Sequence, residues 1–138
     1  RVTFVNNTAT PISMGNTSVA AYSGGFIWGT GSAGYSGDNS PANNSLVNLP
    51  RGMTMNIAKT QLILSDIINL RLRALAVNTA NGSMTSLVSG KEKADYSGGS
   101  NTPAPLSLMN GPTQMFYDSS TQSLLFSDMS NGRVRSLN

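Results

Sequence analysis

The side chains able to do chemistry are few in this sequence. It has six carboxylates, and it contains neither cysteine nor histidine. Thiol nucleophiles, histidine-based triads, disulfides and His/Cys metal sites are therefore excluded. Glycoside hydrolysis would need two carboxylates held face to face, and Glu92 and Asp95 fall in a predicted loop that fixes no such geometry. We expect a protein that binds rather than catalyses, with no cofactor.

The aromatic residues of the predicted loops are the best candidates for contact with a ligand. Aromatic faces beside amides and carboxylates are typical of sugar-binding pockets, where rings stack on C–H surfaces. The predicted ligand-binding residues are Trp28, Tyr35, Tyr96, Asp38 and Asn39. Packing is the alternative for the two tyrosines, because they occupy equivalent loop positions.

Two other motifs in the same region suggest chemistry less specifically. The glycine-rich run at residues 29–34 could cradle a phosphate, but neither a helix nor a Lys-Ser/Thr pair follows it. Asp38 with Asn39, Asn43 and Asn44 could attract calcium, but calcium sites usually hold several carboxylates and only one is present. Turn formation is the favoured role, and no metal site is expected.

An internal repeat organises the chain. Residues 65–75 and 127–137 are identical at six of eleven positions, and Arg71 and Arg133 set the offset at 62 residues. The similarity continues upstream in two segments of residues 33–50. A colinear series of matches indicates structural units that repeat along the chain.

Each repeat predicts four short strands. In the first repeat these are residues 52–56, 61–65, 70–77 and 84–89, and a long polar loop follows. An amphipathic helix is the alternative over 61–77, but the second repeat has Ser-Asn-Gly at the middle of the matching segment, which is typical of a turn. Four antiparallel strands per repeat describe the blade of an all-β β-propeller.

The polar residues around the strand turns recur in both repeats. Side chains of Asx residues in turns commonly bond to nearby backbone, and a neighbouring arginine can pair with a carboxylate. We therefore predict a structural role for Asp66, Asn69, Arg71, Asp128, Asn131 and Arg133.

Two kinds of segment resemble the NHL repeat family. Residues 29–38 and 46–52 resemble the long loop between blades in bacterial NHL repeats, and the Ser-Asp-x-x-Asn-x-Arg-x-Arg segments resemble that family's strand-turn-strand signature. The resemblance covers residues 26–138. It departs where Lys91-Glu92-Lys93 replaces the first glycines of the second loop, and where residues 7–24 form a longer connection.

The resemblance implies a six-bladed ring, sometimes a five-bladed one. Residues 1–138 would form one propeller segment with periods at 7–70 and 71–132, and a partial third copy at the two ends. About two blades are too few to close a ring, so the segment would belong to a longer chain or form a homotrimer. Trp28 aligns with Ser89, so the repeat does not require tryptophan there.

The expected function is a recognition or adhesion module that binds a glycan or protein ligand through loops on one face. The alternatives are a structural or assembly element and a module that binds single-stranded RNA. The net charge of +3 is mild and the bases form no long run, so nucleic acid is the less favoured partner. No apolar stretch approaches the roughly 20 residues of a membrane span. The Ser, Thr and Asn content favours an extracellular or cell-surface location.

Overall fold

The chain folds into antiparallel β-sheets. The computed structural model describes residues 2–14, 17–77, 85–91, 93–95 and 106–138. In chain order the strands are β1 (Val2–Val5), β2 (Ile12–Met14), β3 (Thr17–Val19), β4 (Gly24–Trp28), β5 (Pro50–Met55), β6 (Gln61–Asp66), β7 (Arg71–Ala76), β8 (Thr85–Gly90), β9 (Pro112–Asp118), β10 (Ser123–Asp128) and β11 (Arg133–Leu137). Single 3-10 turns lie at Ala42–Asn44 and Met129–Asn131. The all-β prediction is confirmed.

The four strands predicted for the first repeat form one continuous sheet. Its order is β5-β6-β7-β8, with each strand antiparallel to the next. The observed bounds differ from the predicted ones by one or two residues. Residues 67–70 form the turn between β6 and β7, so the helical alternative for 61–77 is wrong.

The second repeat and the start of the chain form smaller sheets. Strands β9, β10 and β11 make a three-stranded antiparallel sheet, and β1 pairs with β4. Val2 lies opposite Trp28 in the β1–β4 pair and Leu72 lies opposite Ser89 in the β7–β8 pair, and a register shift follows directly after each of these residue pairs. The two strand pairs therefore share one pattern of register.

The segment predicted as a long connection contains a hairpin of its own. Strands β2 and β3 pair within residues 7–24, with Ile12 opposite Val19. The sequence prediction missed it because residues 7–24 were interpreted only as a longer connection.

Both faces of the β5–β8 sheet are buried. Side chains alternate between the faces of a strand, so Leu64 and Leu75 enter one core while Leu72 and Ala74 enter the other. The first core, facing β4, consists of Ile27, Trp28, Ala42, Val47, Leu64, Leu75 and Val77. The second, facing β9–β11, consists of Ile63, Leu72, Ala74, Met109, Leu124 and Phe126. Met53 on β5 enters neither core and is 49% exposed.

The β5–β8 and β9–β11 sheets approach closely at Gly52. Its backbone amide donates to the Ser65 hydroxyl at 2.7 Å, and that hydroxyl donates to the Thr113 carbonyl at 2.9 Å. A Cβ at position 52 would lie 1.9 Å from the Thr113 oxygen. Only glycine brings two backbones this close. The second-repeat counterpart, Gln114, is exposed.

Loops from the β1–β4, β5–β8 and β9–β11 sheets leave at one shared end. Pro50 faces Asp66, Asp66 faces Arg71, and Arg71 faces Gly90 across the β5–β8 sheet. We call this the Asp66 end. The described residues of the segments that leave from it are 29–49, 67–70, 91, 93–95, 106–111 and 129–132.

Candidate functional site

A buried carboxylate organises the Asp66 end of the first repeat. Asp66 accepts hydrogen bonds from the Asn48 backbone amide at 2.7 Å and from the Asn69 side-chain amide at 2.8 Å. The Arg73 guanidinium lies 3.3 Å from its other oxygen, and both side chains are fully buried. Burial raises the pKa of the Asp66 carboxyl above its ordinary value, and the hydrogen bonds and Arg73 oppose that rise only in part.

The second repeat reproduces this arrangement. Asp128 accepts from the Asn110 amide at 2.7 Å, from the Asn131 side chain at 3.0 Å and from Arg135 at 3.0 Å. Arg135 also donates to the Leu108 carbonyl at 2.7 Å, as Arg73 does to its Leu46 counterpart. The recurring residues hold turns and loops in place, as predicted. The arginines that pair with the two carboxylates are Arg73 and Arg135, however, whereas Arg71 and Arg133 donate to the carbonyls of Asn69 and Asn131 at 2.8 and 2.9 Å.

The first repeat adds a cluster that reaches the surface. The Tyr35 hydroxyl donates a hydrogen bond to the Asp38 carboxylate. The other Asp38 oxygen forms an ion pair with Arg73 at 2.9 Å. The Arg71 guanidinium carbon lies 3.7 Å from the centre of the Tyr35 ring, within the range of a cation–π contact. The phenol, one carboxylate and two guanidinium groups thus form one connected site.

Part of this site is accessible to solvent. The Tyr35 residue is 36% exposed and the Asp38 side chain 20% exposed. Partial burial and the hydrogen bond to Asp38 raise the pKa of the Tyr35 hydroxyl, although Arg71 and Arg73 oppose the rise. The hydroxyl is therefore a neutral donor at physiological pH. Asn39 is exposed beside it, in a left-handed conformation with φ of 62°.

Trp28 is not part of this surface. Its side chain is fully buried in the first core, so the prediction that it contacts a ligand is wrong for any ligand on the protein surface. The indole Nε1 is buried and has no hydrogen-bond partner among the described residues. The sequence could not indicate this burial, which depends on β4 packing against β6 and β7. Tyr96, also predicted to bind ligand, lies outside the described residues.

Charged side chains gather at the Asp66 end. Of the nine basic residues in the sequence, seven lie there and only Lys59 is described at the opposite end, in the turn between β5 and β6. The seven are Arg51, Arg71, Arg73, Lys91, Lys93, Arg133 and Arg135. The described carboxylates at this end are Asp38, Asp66, Asp95 and Asp128. Positive charge therefore exceeds negative charge there.

Sequence reasoning missed three residues of this surface. Arg71 was assigned only a structural role, although it also stacks on Tyr35. Leu49 and Ile68 were not singled out, yet they are 58% and 56% exposed at the same end. The signal in the sequence was their alignment with Gly111 and Ser130, because the first repeat has an apolar residue at two positions where the second has a small or polar one.

Neither a metal centre nor a membrane span is found in the described parts of the chain. There, no group of three or more acidic, histidine or cysteine side chains could hold a metal ion. The helical turns of the same residues are all too short to cross a bilayer.

Comparison with solved structures identifies a similar fold. A crystal structure of an auxiliary nutrient binding protein from Bacteroides thetaiotaomicron VPI-5482 superposes with a TM-score of 0.67 at 17% sequence identity. The match covers 84% of this chain and 28% of that one, so the chain spans under a third of its neighbour's length. Neither a protein-family model nor a curated protein matches the sequence.

Proposed function

We propose that the sheets are NHL-type blades of a β-propeller and that the Asp66 end is its recognition surface. Loops displayed at one end of a rigid sheet scaffold commonly carry binding residues. The observation that carries the proposal is the cluster of Tyr35, Asp38 and Arg71, where a buried charge network reaches solvent. The ligand would be a glycan or a protein.

The Tyr35 cluster is suited to hold a ligand in one orientation. Asp38 and Arg73 are tied together by an ion pair, so the neighbouring Tyr35 ring is positioned before a ligand arrives. A positioned polar group loses less conformational entropy on binding than a mobile one. Exposed Asn39, Asn43 and Asn44 follow on the same loop and offer further hydrogen-bonding groups.

Binding is favoured over catalysis by the chemistry of the site and by the neighbouring fold. Asp38 is already paired with a guanidinium group and a phenol, an arrangement that positions groups rather than transferring protons. The similar structure is described as a nutrient binding protein, and a ligand-binding role here is in keeping with it. A cell-surface location is part of the same proposal, supported by the polar composition alone.

Glycan and peptide arrays probed with the labelled chain would test this function. We expect Tyr35→Ala to reduce retention of the bound ligand about tenfold or more, as expected for a central contact. Tyr22→Ala is the matched control, because Tyr22 is 71% exposed and lies at the opposite end of the sheets. Retention that falls equally in both variants, or in neither, would refute the assignment of the surface.

The alternative assembly role is favoured by a different surface. The outer face of β9–β11 carries Val134 and Phe116, which are 78% and 63% exposed. Leu72, the counterpart of Val134, is fully buried against the neighbouring sheet. An apolar position that is buried by a neighbouring sheet in one repeat and exposed in the next could be buried in the same way by a further sheet from another copy of the chain.

Light scattering would test the assembly role. A homotrimer near three times the 14.4 kDa chain mass that dissociates in Val134→Lys would support it. A folded monomer at all concentrations would exclude it. Binding of single-stranded RNA stays a prediction, to be checked by whether affinity falls steeply with salt.

A further inference from the structure

Two leucines occupy backbone conformations that favour glycine. Leu49 and Leu70 have φ of 55° and 58°. Their counterparts in the second repeat are Gly111 and Gly132, with φ of 69° and 60°. The shared backbone geometry therefore demands a left-handed residue at both positions. A bulky side chain there costs free energy that glycine does not.

The strain at Leu49 is not offset by burial, because its side chain is 58% exposed. Ile68 lies beside it and is 56% exposed, and its amide donates to the Asn48 carbonyl at 3.3 Å. The second repeat has Gly111 and Ser130 at the same two places.

Exposed left-handed residues also occur in turns at the opposite end, at Lys59 and Gln122. Of the described residues, however, only Leu49 combines this conformation with an exposed aliphatic side chain beside a second one, which motivates a functional assignment.

This apolar pair borders the Tyr35 cluster. The Asn69 side chain, next to Ile68 in the turn, donates to the Gly34 carbonyl at 2.7 Å. That contact holds the turn of residues 67–70 against the loop that carries Tyr35. The surface at the Asp66 end thus combines two aliphatic side chains with the edge of an aromatic ring.

The electrostatic surroundings favour a negatively charged partner. Arg51, Lys91 and Arg133 are exposed at this end. The described carboxylates there are already paired, since Asp38 contacts Arg73 and Asp95 contacts Lys93 at 3.3 Å. A positive surface steers and orients acidic partners.

We propose that Leu49 and Ile68 seat an apolar side chain of an acidic peptide segment, with the surrounding basic groups meeting its carboxylates. The proposal rests on the function proposed above and names its ligand class. A sugar fits less well, because aliphatic side chains cannot bond to hydroxyls and the Arg71 guanidinium covers one face of the Tyr35 ring. Burial of apolar area at the pair would supply affinity.

The repeat itself provides the test variant. Leu49→Gly combined with Ile68→Ser installs the residues of the second repeat, which the same backbone already accommodates. Ile57→Ser is the matched control, because Ile57 is 50% exposed in the turn between β5 and β6 at the opposite end. Circular dichroism would check that each variant folds.

The full chain would be tested for binding to two collections in parallel, namely random peptides displayed on phage and glycans on an array. We expect enrichment of acidic peptides with an apolar residue. Affinity for a synthetic selected peptide should fall about tenfold or more in the double variant, stay unchanged in the Ile57 control, and weaken as salt screens the charges.

The outcomes separate this inference from the proposed function. The chain could instead select a glycan, or peptides without acidic residues, and bind them through Tyr35 but not through the Leu49–Ile68 pair. That outcome would overturn the inference and leave the proposed recognition surface intact. If the chain retains nothing from either collection, both proposals fail.

Discussion

Replacement of Gly52 by alanine tests how the two repeats pack. A Cβ at this position would lie 1.9 Å from the Thr113 carbonyl oxygen, whereas real Cβ atoms essentially never come within 3.0 Å of another heavy atom. The β5–β8 and β9–β11 sheets would have to separate locally by about 1 Å. Gly52 has no left-handed φ, so alanine adds a steric clash without backbone strain.

The cost of Gly52→Ala follows from the contacts that the separation disturbs. The buried Ser65 hydroxyl bridges the Gly52 amide and the Thr113 carbonyl, and leaving such groups unsatisfied costs about 1–3 kcal/mol. Overpacking a close-packed interface costs about 1–3 kcal/mol. Because the two effects overlap, we expect a loss of about 2–4 kcal/mol in the free energy of unfolding. The corresponding fall in Tm is on the order of 10 °C for a chain of this length.

Urea and thermal unfolding followed by circular dichroism would measure this loss. Trp28, the one tryptophan in the sequence, is buried in the opposite core, so its fluorescence reports whether that core unfolds in the same transition. Gln114→Ala is the matched control at the equivalent, exposed position and should stay within about 0.5 kcal/mol of the parent chain. A Gly52→Ala chain as stable as this control would refute the close approach of the two sheets.

Three further measurements test the Asp66 end. Asp66→Ala should cost about 3–5 kcal/mol in chemical unfolding, because it leaves the Asn48 amide and the Asn69 side chain without their acceptor and removes one of the two carboxylates paired with Arg73; a loss below about 1 kcal/mol would contradict this. Absorbance titration should place the component removed by Tyr35→Phe above pH 10, since its pKa is raised. The raised pKa of Tyr35 contributes to the stability of the folded chain. This contribution is complete below the unfolded-state pKa of about 10 and is lost as the pH rises through the folded-state pKa. A titration midpoint of Tyr35 below about pH 10 would exclude burial as the cause of the shift. Leu49→Gly should leave stability unchanged or raise it by up to about 1 kcal/mol, whereas a clear loss would mean that position 49 is unstrained.

Spacing along the chain determined the local structure of each repeat. The alternation of apolar residues predicted the strands, and the Ser-Asp-x-x-Asn-x-Arg-x-Arg segments predicted the turn, although not which arginine pairs with the carboxylate. Asp66 and Asp128 make the same contacts in the structure. Turn geometry and strand register depend on neighbouring residues, so two copies of one pattern fold alike.

Only the tertiary structure decided which side chains reach solvent. Trp28 and Tyr35 are both aromatic and only seven positions apart. The first is fully buried in a core, whereas the second is 36% exposed and stacks against the Arg71 guanidinium group. Gly52 and Gln114 occupy equivalent positions but differ because a second sheet covers only the first. Exposure is set by contacts between segments far apart in the chain, and the order of residues within one strand does not contain that information.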